Sequence, residues 1–316
     1  DLDIMKENQD LNHITSAVLE GLAPVLSKTR PDRVLVHGDT TTTFAAALAA
    51  FYAKIPVGHV EAGLRTGDLT APWPEELNRR LADQISDMHF APTESARQNL
   101  LAAGQDQSTI FVTGNTVVDA LLHIAGRLEE DSGLAAQAAE DSPIIDKNKR
   151  LILVTGHRRE NFGQGFENIC HALARLSDRS DVEIVYPVHL NPNVQKPVQR
   201  LLGPKENIHL TAPMTYLPFV SLMKKSHIII SDSGGIQEEA PSLGKPVLVL
   251  RNKTERPEAV EAGTVKLVGT KSDKIVEEAE TLLDDTTTYD AMSKAHNPYG
   301  DGHASERIIA ELKRHA

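Results

Sequence analysis

Apolar and polar positions along the chain follow two alternating patterns. Short runs of β-branched residues, typical of strands buried in a parallel sheet, precede stretches with apolar residues at helical spacing. Helices are predicted over Leu11–Thr29, which Pro31 ends, and over Ala304–Arg314. Because strands and helices alternate, the sequence predicts an α/β protein with parallel sheets. The acidic, alanine-rich and irregular stretch 129–149 interrupts this alternation and predicts a linker or a peripheral segment near a domain boundary.

Composition narrows the class of protein. The chain has 316 residues, enough for two domains, and is 40% hydrophobic and 24% charged. Its net charge of −11 argues against a nucleic-acid partner. The single cysteine, Cys170, excludes a disulfide within the chain and favours a reducing compartment, so we expect a cytoplasmic protein. No apolar run approaches the roughly 20 residues that span a membrane, so no membrane partner is expected.

Two carboxylates are predicted at strand ends in the first half. Asp39 follows the strand Arg33–His37, and Glu61 ends the strand Pro56–Glu61. The carboxyl ends of parallel strands are where open α/β sheets bind ligands. The alternatives are that Asp39 caps a helix and that Glu61 forms a salt bridge with Arg65. Glu61 is the more informative residue, because a charge that directly ends an apolar strand needs a partner or a task.

A third carboxylate belongs to the next predicted helix. Glu75 and Glu76 follow Pro74, which is typical of a helix start. Complementation of the helix dipole is the alternative explanation for both acids.

The apolar strand Ile228–Ile230 leads through a turn of small residues into a helix predicted over Ile236–Leu243. Ser233, Gly234 and Gly235 in this turn predict a cradle for a phosphate or pyrophosphate, because backbone N–H groups at a helix start lack partners. In the alternative interpretation, Ser233 only caps the helix and the glycines only turn the chain. Glu239 in the first helical turn could reach a ligand hydroxyl.

Further side chains suit a nucleotide. His157 and Arg158 follow the predicted strand Leu151–Thr155 and are suited to phosphate oxygens. Phe219 could stack on a base, or it could be a core aromatic on an amphipathic helix. The histidine and glutamate pairs lack tight metal-ligand spacing, so no metal site is predicted.

Motifs spread along the whole chain resemble the bacterial non-hydrolysing UDP-N-acetylglucosamine 2-epimerases. The matching segments are His37–Thr42, Gly58–Arg65, Pro72–Arg79, Thr155–Asn161, Ser231–Glu239, Thr254–Pro257 and His296–Gly302. The resemblance implies two Rossmann-like domains in a GT-B-like arrangement with a central cleft. It implies an N-terminal domain of residues 1–115 plus 300–316 and a C-terminal UDP-binding domain of residues 116–299.

The resemblance also implies the reaction, which is reversible C2 epimerisation of UDP-N-acetylglucosamine to UDP-N-acetylmannosamine. UDP leaves as the C2 proton departs, a 2-acetamidoglucal forms, and UDP adds back. The implied catalytic residues are Asp39, Glu61, Glu75 and His157. The implied UDP-binding residues are Arg158, Phe219, Ser233, Gly234, Gly235, Glu239 and Arg256. No cofactor is implied, the chain is expected to be a homodimer, and the product would supply cell-surface polysaccharide.

Members of this family begin with a further strand and a Gly-Thr-Arg-Pro-Glu-type loop, so we expect the first sheet of this chain to lack its first strands. Three alternatives remain: a UDP-sugar glycosyltransferase of the same fold, a hydrolysing epimerase, and a truncated, non-catalytic UDP-binding protein. The trio Asp39, Glu61 and Glu75 favours the epimerase, because glycosyl transfer would not require all three.

Overall fold

The computed structural model describes residues 1–6, 9–254 and 256–315. The chain divides into two compact units, residues 1–119 with 299–316, and residues 120–298. The described helices are α1 Leu11–Thr29, α2 Thr41–Tyr52, α3 Glu75–Ile85, α4 Glu94–Ala102, α5 Thr116–Glu130, α6 Ser132–Glu140, α7 Gln164–Leu176, α8 Pro192–Leu202, α9 Tyr216–Lys225, α10 Ile236–Ser242, α11 Pro257–Glu261, α12 Ser272–Asp284, α13 Thr286–Ser293 and α14 Ala304–Arg314. The described strands are β1 Val34–His37, β2 Val57–Val60, β3 Met88–Ala91, β4 Ile110–Val112, β5 Arg150–Thr155, β6 Val182–Pro187, β7 Ile208–Thr211, β8 Ile228–Ser231, β9 Val247–Val249 and β10 Val265–Leu267.

The first unit is built on a four-stranded parallel sheet in the order β1-β2-β3-β4. The two central strands are buried along their whole length, whereas β1 lies at the edge and Leu35 within it is 48% exposed. Helix α14 packs on this sheet, where Ile308 contacts a cluster of Val60, Met88 and Phe90. The carboxyl ends of β1 and β2 therefore lie side by side, in register with each other.

Local signals explain the helix predicted over Leu11–Thr29, which is confirmed. The Asp10 side chain accepts a hydrogen bond of 2.7 Å from the backbone N–H of His13, as expected of an N-cap. Arg30 ends the helix in a left-handed conformation, with φ of 43°.

The second unit has a six-stranded, entirely parallel sheet in the order β10-β9-β8-β5-β6-β7. Its core is formed by apolar side chains of β5, β6 and β8 packed against α7, α8 and α12. Strands β5 and β8 are neighbours. From β5 the chain continues to β6 toward one edge of the sheet, and from β8 it continues to β9 toward the other edge. Both units thus confirm the predicted α/β class with parallel sheets.

The expectation of an irregular linker or peripheral segment over residues 129–149 is wrong in its irregularity. Helix α6 occupies Ser132–Glu140, and its N-cap Asp131 accepts hydrogen bonds of 3.0 Å from the backbone N–H groups of Gly133 and Leu134. Alanine, which has the highest helix propensity, explains why this stretch is helical in spite of its weak pattern. The short elements α8, α11, α13 and β10 were not predicted.

Candidate active site

Two carboxylates lie at the carboxyl ends of neighbouring strands in the first unit. Asp39 follows β1 by two residues, and Glu61 comes directly after β2. Arg79 on α3 contacts both residues. One guanidinium nitrogen binds the carboxylate of Asp39, and the other donates to the backbone carbonyl of Glu61 and lies 3.9 Å from its Oε2 atom. Helix α3 therefore holds the two predicted residues at the same sheet edge.

The structure excludes the alternatives that the sequence left open for these two acids. The N-cap of α2 is Thr40, whose side chain accepts a hydrogen bond from the backbone N–H of Thr43, so Asp39 is not the cap. Arg65 pairs with Asp83 rather than with Glu61, because Asp83 is fully buried on α3 and requires a cationic partner.

Glu61 has an unusual backbone conformation. Its φ angle is 67°, in the left-handed region that residues with a side chain rarely adopt. Gly38, opposite it at the end of β1, has φ of 72°, and a Cβ there would lie 3.0 Å from Oε2 of Glu61. Strained backbone of this kind clusters at functional sites. The geometry directs the Glu61 carboxylate into the space that Gly38 leaves open.

Glu75 is the first residue of α3, where a negative charge is favoured by the helix dipole. Its Oε2 atom is buried and has no hydrogen-bond partner in the part of the chain that the structure describes. Burial of a carboxylate oxygen without a partner is costly. The helix dipole alone does not account for this arrangement, which suits a group kept available for a ligand or a proton.

Helix α3 buries a polar face, which is not expected from its sequence. Its apolar residue Leu77 is 41% exposed, whereas four polar side chains of the helix are buried. These are Glu76, Asn78, Arg79 and Asp83. Asn78 also donates a hydrogen bond of 3.0 Å to the backbone carbonyl of Asp39. Charged residues at helical spacing on one side of α3 were the available signal, but most such faces are exposed to solvent.

In the second unit the predicted residues follow the two neighbouring strands β5 and β8. Adjacent strands from which the chain leaves in opposite directions form a switch point, where open parallel sheets bind ligands. The loop after β5 carries His157 and Arg158, and the turn after β8 carries Ser233, Gly234 and Gly235.

Asp232 joins these two loops. Its fully buried Oδ2 atom accepts hydrogen bonds of 3.0 and 2.9 Å from the backbone N–H groups of His157 and Arg158, and one of 3.2 Å from Nδ2 of Asn161. From the sequence, Asp232 is expected only as part of the turn after β8. An acidic residue directly after a buried apolar strand was the signal that could have identified it.

His157 lies in a mixed environment that favours its neutral form. Burial is the main cause that lowers the pKa of its imidazole, and the charges of Arg158 and His189 add to this, while Asp232 opposes it. The ring stacks on that of His189, with centroids 5.3 Å apart. The exposed part of the ring is available to a ligand, because the side chain is 45% exposed.

The turn after β8 leads directly into α10. The N-cap position is Gly235, and no side chain caps the helix, so the alternative role of Ser233 as a cap is excluded. The backbone N–H of Ser233 instead donates a hydrogen bond of 3.0 Å to Oγ of Ser231.

Glu239 and Phe219 lie on α10 and α9. Oε1 of Glu239 accepts a hydrogen bond of 2.8 Å from the Tyr216 hydroxyl, one turn before Phe219 on α9. Burial raises the pKa of the Glu239 carboxyl, and this hydrogen bond partly offsets the rise. Phe219 is half-buried.

Arg256 is buried and pairs through Nε with the carboxylate of Glu238 on α10. Its backbone N–H donates a hydrogen bond of 3.1 Å to Oγ1 of Thr254, which in turn donates one of 2.7 Å to Gln237. The segment before α11 is thereby attached to α10. Glu255, in the same motif, lies outside the described residues.

A metal-binding cluster and a membrane-spanning helix are both absent from residues 1–6, 9–254 and 256–315. These residues contain no group of three or more histidine, cysteine or acidic side chains placed to hold a metal ion. Within the same ranges, no helix has the length and apolar character needed to cross a bilayer.

Known proteins match the chain over almost its full length. The family model described as UDP-N-acetylglucosamine 2-epimerase matches residues 1–313. The UDP-N-acetylglucosamine 2-epimerase of Escherichia coli K12 is 60% identical over 314 residues, which are 99% of this chain and 84% of that protein.

Solved structures agree in fold with this chain. The crystal structure of UDP-GlcNAc 2-epimerase from Neisseria meningitidis bound to UDP-GlcNAc superposes with a TM-score of 0.94 at 54% identity, over 99% of this chain and 85% of that one. The enzyme from Methanocaldococcus jannaschii, in complex with UDP-GlcNAc and UDP, gives 0.82 at 36% identity, over 99% and 83% of the two chains. This chain therefore belongs to the UDP-N-acetylglucosamine 2-epimerase family.

Proposed function

We propose that this chain is a non-hydrolysing isomerase that interconverts UDP-N-acetylglucosamine and UDP-N-acetylmannosamine without a cofactor or metal. Family membership supports the reaction. The structural observation that carries the proposal is the contact of Arg79 with both Asp39 and Glu61, which gathers two acids at one sheet edge.

Inversion at C2 requires the C2–H bond to break, although this proton is only weakly acidic. Elimination solves the problem. A base takes the C2 proton, the electrons of the C2–H bond form the C1–C2 double bond, and the C1–O bond breaks with its electron pair on UDP. The product pair is 2-acetamidoglucal and UDP. Re-addition of UDP at C1 with protonation of the opposite face of C2 gives the epimer.

Proton removal and return on opposite faces need at least two acid–base groups. We assign these steps to the set Asp39, Glu61 and Glu75. Carboxylates also stabilise the positive charge that develops at C1 when the leaving group departs. Glu75 suits a proton-transfer role because its buried Oε2 atom has no partner among the described side chains and backbone.

The second unit is assigned the UDP moiety. His157, Arg158, the Ser233 hydroxyl and the backbone N–H groups of Gly234 and Gly235 would donate to the diphosphate, which is also the leaving group, and so would act in catalysis as well as binding. The shared hydrogen bonds of Asp232 support this grouping, because they attach both segments to one carboxylate. Glu239 would accept the ribose hydroxyls, Phe219 would contact uracil, and Arg256 would lie toward the phosphate or uridine side.

The proposal extends to the setting of the reaction. Its single cysteine, Cys170, is buried and free, which suits a reducing compartment such as the cytoplasm. The enzyme would act as a homodimer, which light scattering coupled to gel filtration would test. Its product would supply N-acetylmannosamine units for cell-surface polysaccharide.

Proton NMR of UDP-N-acetylglucosamine incubated with the 316-residue chain in D₂O tests the reaction, with the Escherichia coli relative as positive control. We expect UDP-N-acetylmannosamine to appear with deuterium at C2. Glu61→Gln and Glu75→Gln are expected to lower the exchange rate by about 10² to 10⁴-fold, as for loss of a general acid or base.

Two results would contradict the proposal. One is the absence of C2 deuterium from both epimers while the relative exchanges under the same conditions. The other is unchanged exchange in both glutamine variants. Release of free N-acetylmannosamine would instead identify a hydrolysing enzyme, and sugar transfer to an added acceptor would identify a glycosyltransferase.

A further inference from the structure

His59, in the middle of β2, is fully buried and has no place in the proposed chemistry. Its Nδ1 atom lies 2.6 Å from Oδ1 of Asp83, and its Nε2 atom lies 2.7 Å from the backbone carbonyl oxygen of Gly38. Arg65 binds the other oxygen of Asp83. The first unit therefore contains a chain of polar contacts that starts at Arg65 and ends on the residue before Asp39.

The partners of His59 determine where its protons lie. A carbonyl oxygen can only accept, so Nε2 must carry a hydrogen to bond Gly38. Burial raises the pKa of Asp83, but the charges and hydrogen bonds of His59 and Arg65 outweigh this and lower it to about 2. Asp83 is therefore an ionised acceptor at neutral pH. Nδ1 faces this carboxylate, and Nε2 donates to the Gly38 carbonyl.

The carbonyl that His59 holds belongs to a tightly constrained turn. The backbone N–H of Gly38 donates a hydrogen bond of 3.0 Å to the carbonyl of Val60, and φ of Gly38 is 72°. Asn78 holds the carbonyl of Asp39 on the other side, at 3.0 Å. The two peptide groups that flank the Asp39 Cα are thus both fixed by buried side chains, which sets the direction of its carboxylate.

From these contacts we infer that His59 is a positioning residue for Asp39: by donating from Nε2 to the Gly38 carbonyl, it orients the Asp39 carboxylate for the C2 proton or the charge at C1. This inference rests on the proposed function. His59 touches no substrate and acts through the turn. A displacement of about 1 Å in a reacting group can lower a rate by roughly 10²-fold, so the effect belongs in kcat.

His59→Gln is the first test, because a glutamine side chain cannot donate to the Gly38 carbonyl and contact Asp83 with the geometry of the imidazole ring. We expect kcat for C2 epimerisation to fall about 10- to 100-fold, with KM and the Kd of UDP changing less than about threefold. The matched control is His89→Gln. His89 is buried on the neighbouring strand in register with His59, and Nε2 contacts the Asp83 carbonyl at 2.9 Å, away from the Gly38 turn.

A merely structural role would give a different pattern. If kcat falls in the two variants only in proportion to their loss of thermal stability, or if His59→Gln retains kcat, the inference is wrong. Asp83→Asn adds a second variant. An asparagine amide can donate to Nδ1 while Nε2–H still bonds Gly38, so kcat is expected to stay within about fivefold of the parent, and a loss above about 100-fold in a folded protein would overturn the inference.

NMR of the ¹⁵N-labelled histidine ring in the unchanged protein needs neither a variant nor turnover. We expect a slowly exchanging Nε2–H proton on the His59 ring, both in the parent and in Asp83→Asn. A ring without a proton on Nε2 would overturn the inference. If the parent chain shows no C2 exchange but the ring signals are as expected, the proposed function has failed while the hydrogen-bond assignment stands.

Discussion

The Tyr216 hydroxyl donates a hydrogen bond of 2.8 Å to Oε1 of Glu239 and so connects α9 to α10 in the second unit. Burial raises the pKa of Glu239, and the hydrogen bond partly reverses that rise. The same burial, together with the charge of Glu239, raises the pKa of the tyrosine. Tyr216 therefore keeps the proposed ribose-binding carboxylate oriented and more readily ionised.

Tyr216→Phe tests this relationship. It removes one hydrogen bond and keeps the ring, so we expect the Kd of UDP to rise about 2- to 10-fold while the free energy of unfolding changes by less than about 1 kcal/mol. Calorimetric titration with UDP measures the first quantity. Tyr52→Phe, at a tyrosine 69% exposed on α2, is the control and should leave the Kd unchanged. Equal affinity of Tyr216→Phe and Tyr52→Phe for UDP would show that Glu239 does not take part in nucleotide binding.

Asp232→Asn tests the junction of the two nucleotide-side loops. In the parent, the backbone N–H groups of His157 and Arg158 and the Asn161 amide all donate to the Asp232 carboxylate. An asparagine offers these donors one oxygen, or its own NH₂ group, so at least one buried donor loses its partner. We expect a loss of about 1 to 3 kcal/mol in the free energy of unfolding and a weaker binding of UDP. Urea denaturation and calorimetry measure the two effects.

Asp273→Asn provides the comparison, because the Asp273 side chain is 96% exposed although it pairs with Arg175. Its effect on stability is expected to stay below about 1 kcal/mol. Unchanged UDP affinity in Asp232→Asn would show that the loops do not act together on the nucleotide.

The protonation of His157 predicts how UDP affinity depends on pH. Burial lowers the pKa of this ring below that of an ordinary histidine. The ring is therefore neutral at pH 7 and becomes charged only at a lower pH than an exposed histidine does. A bound diphosphate favours the charged ring and therefore raises this pKa. As the pH falls from 7.5 to 5.5, the parent should therefore bind UDP more tightly relative to His157→Gln. The gain in relative affinity is up to about tenfold for each unit by which bound UDP raises the pKa of His157.

The measured quantity is the ratio of the two Kd values, because the titration of UDP itself cancels in it. His123→Gln, at an exposed histidine on α5, should keep a ratio near one at each pH. A His157→Gln ratio that does not change with pH would mean that the ring does not face the diphosphate.

The left-handed conformation of Glu61 predicts a conflict between stability and activity. Glycine adopts a φ of 67° without strain, whereas a residue with a Cβ is disfavoured there by about 1 to 2 kcal/mol. Glu61→Gly should therefore be about 1 kcal/mol more stable than Glu61→Ala, and both should lose epimerase activity. Thermal unfolding and the C2 exchange assay measure these quantities. A glycine variant less stable than the alanine variant would show that the backbone is not strained at this position.

The sequence predicted elements with strong local signals and missed those without them. The helix Leu11–Thr29 was predicted because its apolar face is periodic and Pro31 follows. Helix α8 was missed although Val194, Val198 and Leu202 recur at helical spacing, because Pro197 interrupts the run. Helix α13 has only eight residues. A parallel strand was predicted at Ile228–Ile230 because a buried run of β-branched residues has few alternatives.

The site shows the same limit. Asp39 and Glu61 were placed at strand ends because the alternation of strands and helices can be recognised from the local sequence pattern. Their partner Arg79 was not predicted, because a charged residue on a helix is usually exposed, and only the folded chain shows that α3 turns it inward. The bond of His59 to Asp83 joins residues 24 positions apart, and no local rule predicts it.

The attachment of Asp232 to the loop after β5 has a consequence for recombining this protein with its relatives. The carboxylate and its two backbone donors are 74 and 75 positions apart in the chain, so a crossover between β5 and β8 would take the loop from one parent and the turn from another. Backbone donors tolerate changes of side chain but not of loop length. Chimaeras should therefore inherit residues 156–161 and 231–235 from the same parent.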